Sequence, residues 1–214
     1  MGVSILFCGK SANSAEKAID RGLLADICYM EMYPRCKMRL EGSWLILEFP
    51  FHQISTQYQV RRITEDDLPE LLALARGNPT YYEHMRERPE LENLREDLTK
   101  LPPRTTPEDK YFLGFYRDGR LCAALDLILH YPNPETIFIG WFILDKSVQR
   151  AGVGTAIITE LMAFLRAQGF RYVRLGYVKG NLESEHFWQK NQFAPTGLQT
   201  RTENYTIVVM ERQL

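Results

Sequence analysis

Short apolar runs alternate with polar breaks along the chain, and the spacing of the apolar positions changes from one stretch to the next. Residues 3–8 form a short apolar segment. Residues 11–30 predict a helix, with Ser11 and Asn13 as N-cap residues and Ala18, Leu23, Leu24 and Ile27 on one face. Residues 37–41 and 44–51 read as strands separated by Gly42-Ser43, a two-residue hairpin signal. Residues 58–64 read as a further strand ending in an N-cap, Thr64. Leu68, Leu71, Leu72, Leu74 and Ala75 then recur with helical spacing until Gly77-Asn78-Pro79 breaks the pattern. Two polar helical pieces follow, 80–88 and 89–100, closed by Pro102, Pro103 and Pro107.

The last hundred residues are the most regular. Residues 111–117 and 120–131 predict strands around a tight Asp118-Gly119 turn, and 136–144 a third strand after a loop at 132–135. Residues 153–168 predict a strong helix, apolar at Ile157, Ile158, Leu161, Met162, Phe164 and Leu165, with Gly169 at the C-cap position. A strand at 171–178, a helix at 182–190 and strands near 193–199 and 205–211 complete the chain. Antiparallel strands with one strand–helix–strand crossover predict an α+β (mixed α/β) fold.

Composition changes this picture in two respects. At 214 residues the chain exceeds one average domain and falls short of two, and 45% hydrophobic content suffices for a core. Lys plus Arg is 26 and Asp plus Glu is 27, without the basic surplus of a nucleic-acid binder. No apolar run approaches the ~18 residues of a membrane span. Cys8, Cys28, Cys36 and Cys122 lack CxxC spacing, so no zinc site or redox pair is read from them. They read as thiols of a reducing compartment, and the N-terminus lacks signal-peptide features. A cytoplasmic protein without a metal, a nucleic-acid partner or a membrane partner is the expectation.

The candidate chemistry sits at Gln149-Arg150-Ala151-Gly152-Val153-Gly154-Thr155, between a strand and the strong helix. Glycines there let backbone N–H groups approach a ligand, and a helix start offers unpartnered donors, which suits a phosphate or pyrophosphate. The loop lacks the Lys of a Walker A sequence, and Ile157 occupies the third glycine position of a dinucleotide fingerprint. The pattern Gln/Arg-x-x-Gly-x-Gly/Ala resembles the pyrophosphate loop of the GCN5-related N-acetyltransferase (GNAT) superfamily. The segment from Asn181 to Phe193 is similar to that family's Asn-x-x-Ala-x-x-Phe-Tyr-x-x-x-Gly-Phe. Asn181, Phe187 and Phe193 match, and Ser184 fills the small-residue slot.

The resemblance covers residues 58–214 and implies the acyl-CoA N-acyltransferase fold, a central, mostly antiparallel twisted sheet flanked by helices. Residues 1–57 are left as an N-terminal helix/hairpin extension packed on that domain. The resemblance implies an acetyl-CoA-dependent N-acetyltransferase in which a primary amine of a small molecule or peptide attacks the thioester directly. The alternative is a non-catalytic acyl-CoA-binding or sensor protein of the same fold. Acetyl-CoA contacts are implied for residues 149–155, for Asn181 and Ser184, and for the fourth-strand backbone at Phe142, Ile143 and Leu144, where a bulge is expected. The family's usual acid, a Tyr, is replaced by Trp188, read as a wall of the pantetheine channel, and its usual base, a Glu, by Phe138. An indole N–H donates a hydrogen bond but releases no proton at neutral pH.

Substitute proton carriers are sought by strand register. A loop centred near Pro134 places Asp126 opposite Phe142 and His130 opposite Phe138. Asp126, Ile128 and His130 then share a face, with Leu125, Leu127 and Leu129 on the other. Asp126 and His130 are candidates to handle the amine proton, against purely structural roles, and Tyr177 is a candidate acid. Tyr81, Tyr82 and Glu83 are candidates to hold the amine, by cation–π contact or charge pairing, against an amphipathic helix that merely buries its tyrosines. Glu65-Asp66-Asp67 reads as a helix start and residues 92–97 as a solvated acidic face. A homodimer is the commonest closed assembly.

Overall fold

The structure, a computed structural model, describes residues 2–4, 37–40, 43–46 and 49–214. The expected helix at 11–30 and three of the cysteines lie outside them; Cys122 is a buried free thiol. The chain divides into two units, residues 8–50 and residues 1–7 with 51–214. In the smaller unit β2 (Lys37–Leu40) and β3 (Ser43–Ile46) pair as an antiparallel hairpin. Leu40 faces Ser43, so Ser43 opens a strand rather than closing the turn, and the second strand is shorter than 44–51.

In the larger unit, seven strands form one sheet in the order β4 (Gln59–Arg62), β5 (Lys110–Arg117), β6 (Arg120–Ile128), β7 (Thr136–Leu144), β8 (Tyr172–Val178), β10 (Thr206–Gln213), β9 (Ala194–Arg201). A short eighth strand, β1 (Gly2–Ser4), pairs with β7. Among the described strands only β7 and β8 run parallel, and α4 (Val153–Ala167) connects them. β5, β6 and β7 are apolar on both faces because both are covered. Asp118 and Gly119, both at positive φ, make the tight turn between β5 and β6.

One face of the sheet receives α1 (Leu68–Arg76), α2 (Pro79–Met85) and α3 (Leu91–Thr99). Their Leu68, Leu71, Leu74, Tyr81, Met85 and Leu94 pack against Phe112, Ala124, Trp141 and Ile143. The opposite face carries Phe142, which stacks on Phe187 and packs against Trp188 of α5 (Leu182–Lys190). The acidic run before α1 acts as a start signal. Asp67 accepts from the Thr64 amide and hydroxyl and from Arg61, and the Arg61 guanidinium foremost holds its carboxyl down at about 2.

A bulge in β7 and the early end of β6 correct the expected register. Asp126 lies opposite Trp141 and Leu127 opposite Ile139, so Gly140 is an extra residue, a bulge lying before the expected Phe142–Leu144 region. A Cβ at Gly140 would overlap the Asp126 carboxylate, which occupies the space a side chain would fill. Asp126 therefore shares a face with Trp141 and not Phe142. Phe138 pairs with Ile128, not His130, because β6 ends at Ile128 and His130 enters the turn at positive φ.

Candidate active site

The bulge opens the sheet. β7 and β8 pair from Thr136–Tyr172 to Ile139–Leu175 and no further, so past Gly140 the β7 backbone turns a free side away from β8. β1 takes up that side, with Ser4 opposite Trp141, Val3 opposite Phe142 and Gly2 opposite Ile143. This is the stretch whose amides the sequence nominates for a thioester carbonyl.

β7 leads directly into the glycine loop. The Leu144 carbonyl accepts from Asn78 Nδ2 at 3.0 Å and Gln149 Nε2 at 3.1 Å, and Asn78 Oδ1 accepts from the same Gln149 amide at 2.6 Å. Gln149 is thus turned inward to fasten the loop. Asn78, read in the sequence only as a helix break, is the buried residue that ties α2 to the end of β7. Gly152 caps α4 at φ +82, a conformation open to glycine without steric cost. Gly154 is needed for a different reason: a Cβ there would stand 2.8 Å from Leu144 Cδ1 and 3.1 Å from Phe187 Cε2. The first amides of α4, at Val153, Gly154 and Thr155, have no partner within the helix, and its first turn carries no acidic side chain.

Two cavities flank this helix start. One, of about 310 Å³, is walled by Gly152, Gly154, Thr155, Phe187 and Lys190. The other, of about 250 Å³, lies between Asn78–Tyr81 and Lys146, Arg150, Asn181 and Ser184. Asn181 caps α5 by accepting from the Ser184 amide at 3.0 Å, and the buried Ser184 hydroxyl has no partner among the described residues. Lys146 and Lys190 add cationic ends near the loop that the motif alone did not reveal.

Other nominated residues line neither of these two cavities. Trp188 is 0% exposed, enclosed by Phe142, Phe187 and Phe193, so Phe187 and not Trp188 forms the cavity wall. Tyr177 on β8 is buried; burial first, and the Glu185 carboxylate beside it, push its phenol up to about 12, so it keeps its proton. His130 Nδ1 lies 2.9 Å from the Pro134 carbonyl and its ring packs on Phe170. That is the Thr136 end of β7, roughly 25 Å of strand from Leu144. Asp126 is buried and bound to Lys110, Oδ2 to Nζ 3.0 Å.

A third cavity, of about 180 Å³, lies between α2 and α3 and reaches Trp141. Tyr81 and Tyr82 line it, their rings edge to face at 4.9 Å. Glu83 lines none of the three cavities and is exposed, since helical spacing sends 81, 82 and 85 inward and 83 outward. The acidic face at 92–97 is not uniformly solvated. Asp97 turns into this cavity, and burial raises its carboxyl to about 6 against the opposing pull of Lys100. The signal was its spacing of three from the buried Leu94.

A scan against family models matches residues 68–193 to the acetyltransferase (GNAT) family. A search of curated proteins finds no match. Solved structures share the fold. An acetyltransferase from Thermus thermophilus is 21% identical, with TM-score 0.59 over 72% of this chain and 96% of that one. A Salmonella typhimurium acetyltransferase that modifies the N-terminal serine of ribosomal protein L7/L12 is 17% identical, with TM-score 0.61 over 75% and 97%. A GCN5-related N-acetyltransferase from Kribbella flavida is 20% identical, with TM-score 0.54 over 74% and 98%. With a family match over more than half its length, glycines at the start of α4 and a sheet that splays at a β7 bulge, the chain belongs to the acetyltransferase (GNAT) family.

Proposed function

We propose that the protein is a cytoplasmic acetyl-CoA-dependent N-acetyltransferase acting on a primary amine of a small molecule or peptide. The observation that carries this reading is the continuous backbone path from the β7 edge past Gly140 to the unpartnered first amides of α4. Val153, Gly154 and Thr155 amides, with Lys146, Arg150 and Lys190, suit a pyrophosphate. The unpartnered Ser184 hydroxyl and the Asn181 side chain suit the amide groups of a pantetheine arm. Bound acetyl-CoA supplies an activated acyl group. Among the Phe142, Ile143 and Leu144 amides, which alternate between the two edges of β7, those turned away from β6 are the donors that polarise its carbonyl, and Tyr177, protonated at neutral pH, is the candidate donor to the departing sulfur.

Thiol release from acetyl-CoA, measured across a panel of primary amines, tests the reading. Amine-dependent release supports it. Binding of acetyl-CoA with no release by any amine over a wide pH range would favour the non-catalytic binder, the reading to which Trp188 and Phe138 in the usual proton-carrier slots lend weight.

β1 occupies the backbone of Trp141, Phe142 and Ile143. Seating a thioester there requires β1 to leave. Deleting residues 2–4 is expected to tighten acetyl-CoA binding severalfold by calorimetry, and an unchanged Kd would show that the two do not share this edge.

A further inference from the structure

We propose that the acceptor is a cationic amine without a carboxylate or phosphate, bound in the cavity between α2 and α3, and that Asp97 takes its proton. This rests on the acetyltransferase reading and specifies its acceptor. The cavity carries Glu87, Glu90, Glu96 and Asp97 against a single cation in its wall, Arg88. Such a lining favours an ammonium and repels a carboxylate. Its volume, about 180 Å³, is below that of sites for whole drug-sized ligands, so it fits an amine-bearing arm.

A second observation is independent of the carboxylates. Trp141, 4% exposed, stands in the same wall, and its indole N–H has no partner among the described residues. A buried donor of this kind is costly unless a ligand supplies an acceptor. An uncharged carbonyl or hydroxyl oxygen on the arm would do so. Trp141 also places the cavity beside the chemistry, since the next residues are Phe142, Ile143 and Leu144.

Asp97 is the carboxylate best suited to accept the proton. Burial raises its proton affinity to the range of a base working near neutral pH. The groups that face it are Lys100 at the end of α3, Glu87 after α2, Lys110 on β5 and Asp126 on β6, with Tyr82 of α2 alongside. Of these, Asp126 is already committed to Lys110. The ammonium gives one proton to the Asp97 carboxylate and becomes a neutral amine. Its lone pair forms the C–N bond and the C–S bond breaks with its electron pair on sulfur. Tyr177 gives that sulfur its proton, leaving the thiol, and is restored by the second amine proton, while Asp97 returns its own to solvent.

Matched acceptors and a conservative pair of variants test this on the full chain. Glycinamide and 1,4-diaminobutane are expected to exceed glycine in kcat/KM by at least tenfold. Asp97→Asn should lower kcat/KM by about 100-fold, the usual share of a general base, and Asp97→Glu should recover part of it. The KM for acetyl-CoA should not change in either. Wild-type kcat/KM should rise with pH through an inflection near 6, and this limb should vanish in Asp97→Asn.

Thermal melts separate this role from a structural one. The raised carboxyl binds more protons folded than unfolded, so its stability cost grows as pH rises from ordinary carboxylate values and is complete above about 6. At pH 8 Asp97→Asn should therefore melt no lower than wild type. Thiol release with glycine as good as glycinamide, or Asp97→Asn within threefold of wild type with the same pH profile, would overturn the proposal while leaving the acetyltransferase reading intact. No binding of acetyl-CoA at all would overturn that reading instead.

Discussion

Replacing Lys110 with Met is expected to lower the melting temperature by about 10 °C at pH 8, through a loss of about 3–5 kcal/mol. Lys110 is as buried as a core residue, and its ammonium reaches Asp126 Oδ2 at 3.0 Å beneath the Gly140 bulge. Asp126 Oδ1 has no hydrogen-bond partner among the described residues, so Lys110 is its principal compensation. Burial raises the Asp126 proton affinity, and the lysine opposes it. Without the lysine, a carboxylate is left uncompensated in the sheet, and the cost comes from that charge rather than from the bond itself. The sign of the pH dependence follows. An acid with a raised folded pKa favours the folded state at low pH, so the defect should shrink as the pH is lowered from 8 and Asp126 takes a proton. The paired variant Lys110→Met with Asp126→Leu should recover most of the stability. A single variant melting within 2 °C of wild type would show that the pair is not buried as described.

Gly154→Leu is expected to weaken acetyl-CoA binding by at least about 100-fold while the chain stays folded, since overpacking costs about 1–3 kcal/mol. A Cβ alone would meet Leu144 at 2.8 Å and Phe187 at 3.1 Å, and both are held, Leu144 by the Asn78–Gln149 clamp and Phe187 by Phe142 and Trp188. The start of α4 must move away from β7. Its first amides then no longer align with the β7 edge, and a ligand gripped at both ends loses one of them. Gly152 presents the contrasting case, with nothing within 4 Å of an added Cβ, so its sensitivity comes from backbone conformation alone.

Much of the fold was legible because β5, β6 and β7 are short apolar runs and α1 and α4 keep a strict helical spacing. Residues 136–144 and 182–190 were read to the residue. The glycine loop was legible because Gly152 serves a backbone conformation and Gly154 a close approach that few other residues allow. What was missed depends on contacts between elements. Nothing local marks Gly140 as a bulge; it is one because the Asp126 carboxylate fills its missing side chain. Beside the turn Ile128 and not His130 already faces Phe138, and past the insertion Asp126 faces Trp141 rather than Phe142; the structure commits Asp126 to Lys110 and puts His130 in the β6–β7 turn. Trp188 read as a channel wall because it fills the family's acid slot with an indole that releases no proton, yet the surrounding phenylalanines draw it fully inside. Asp97 was hidden within an acidic run, where composition outweighed its helical phase.

The central claim is that the β7 edge and the start of α4 together bind acetyl-CoA. It is tested most directly by titrating acetyl-CoA into wild type and Gly154→Leu side by side in a calorimeter. A saturable one-to-one isotherm for wild type, lost in a variant with an unchanged circular-dichroism spectrum, is the expected result. No heat of binding for wild type, or equal affinity in the two proteins, would contradict it.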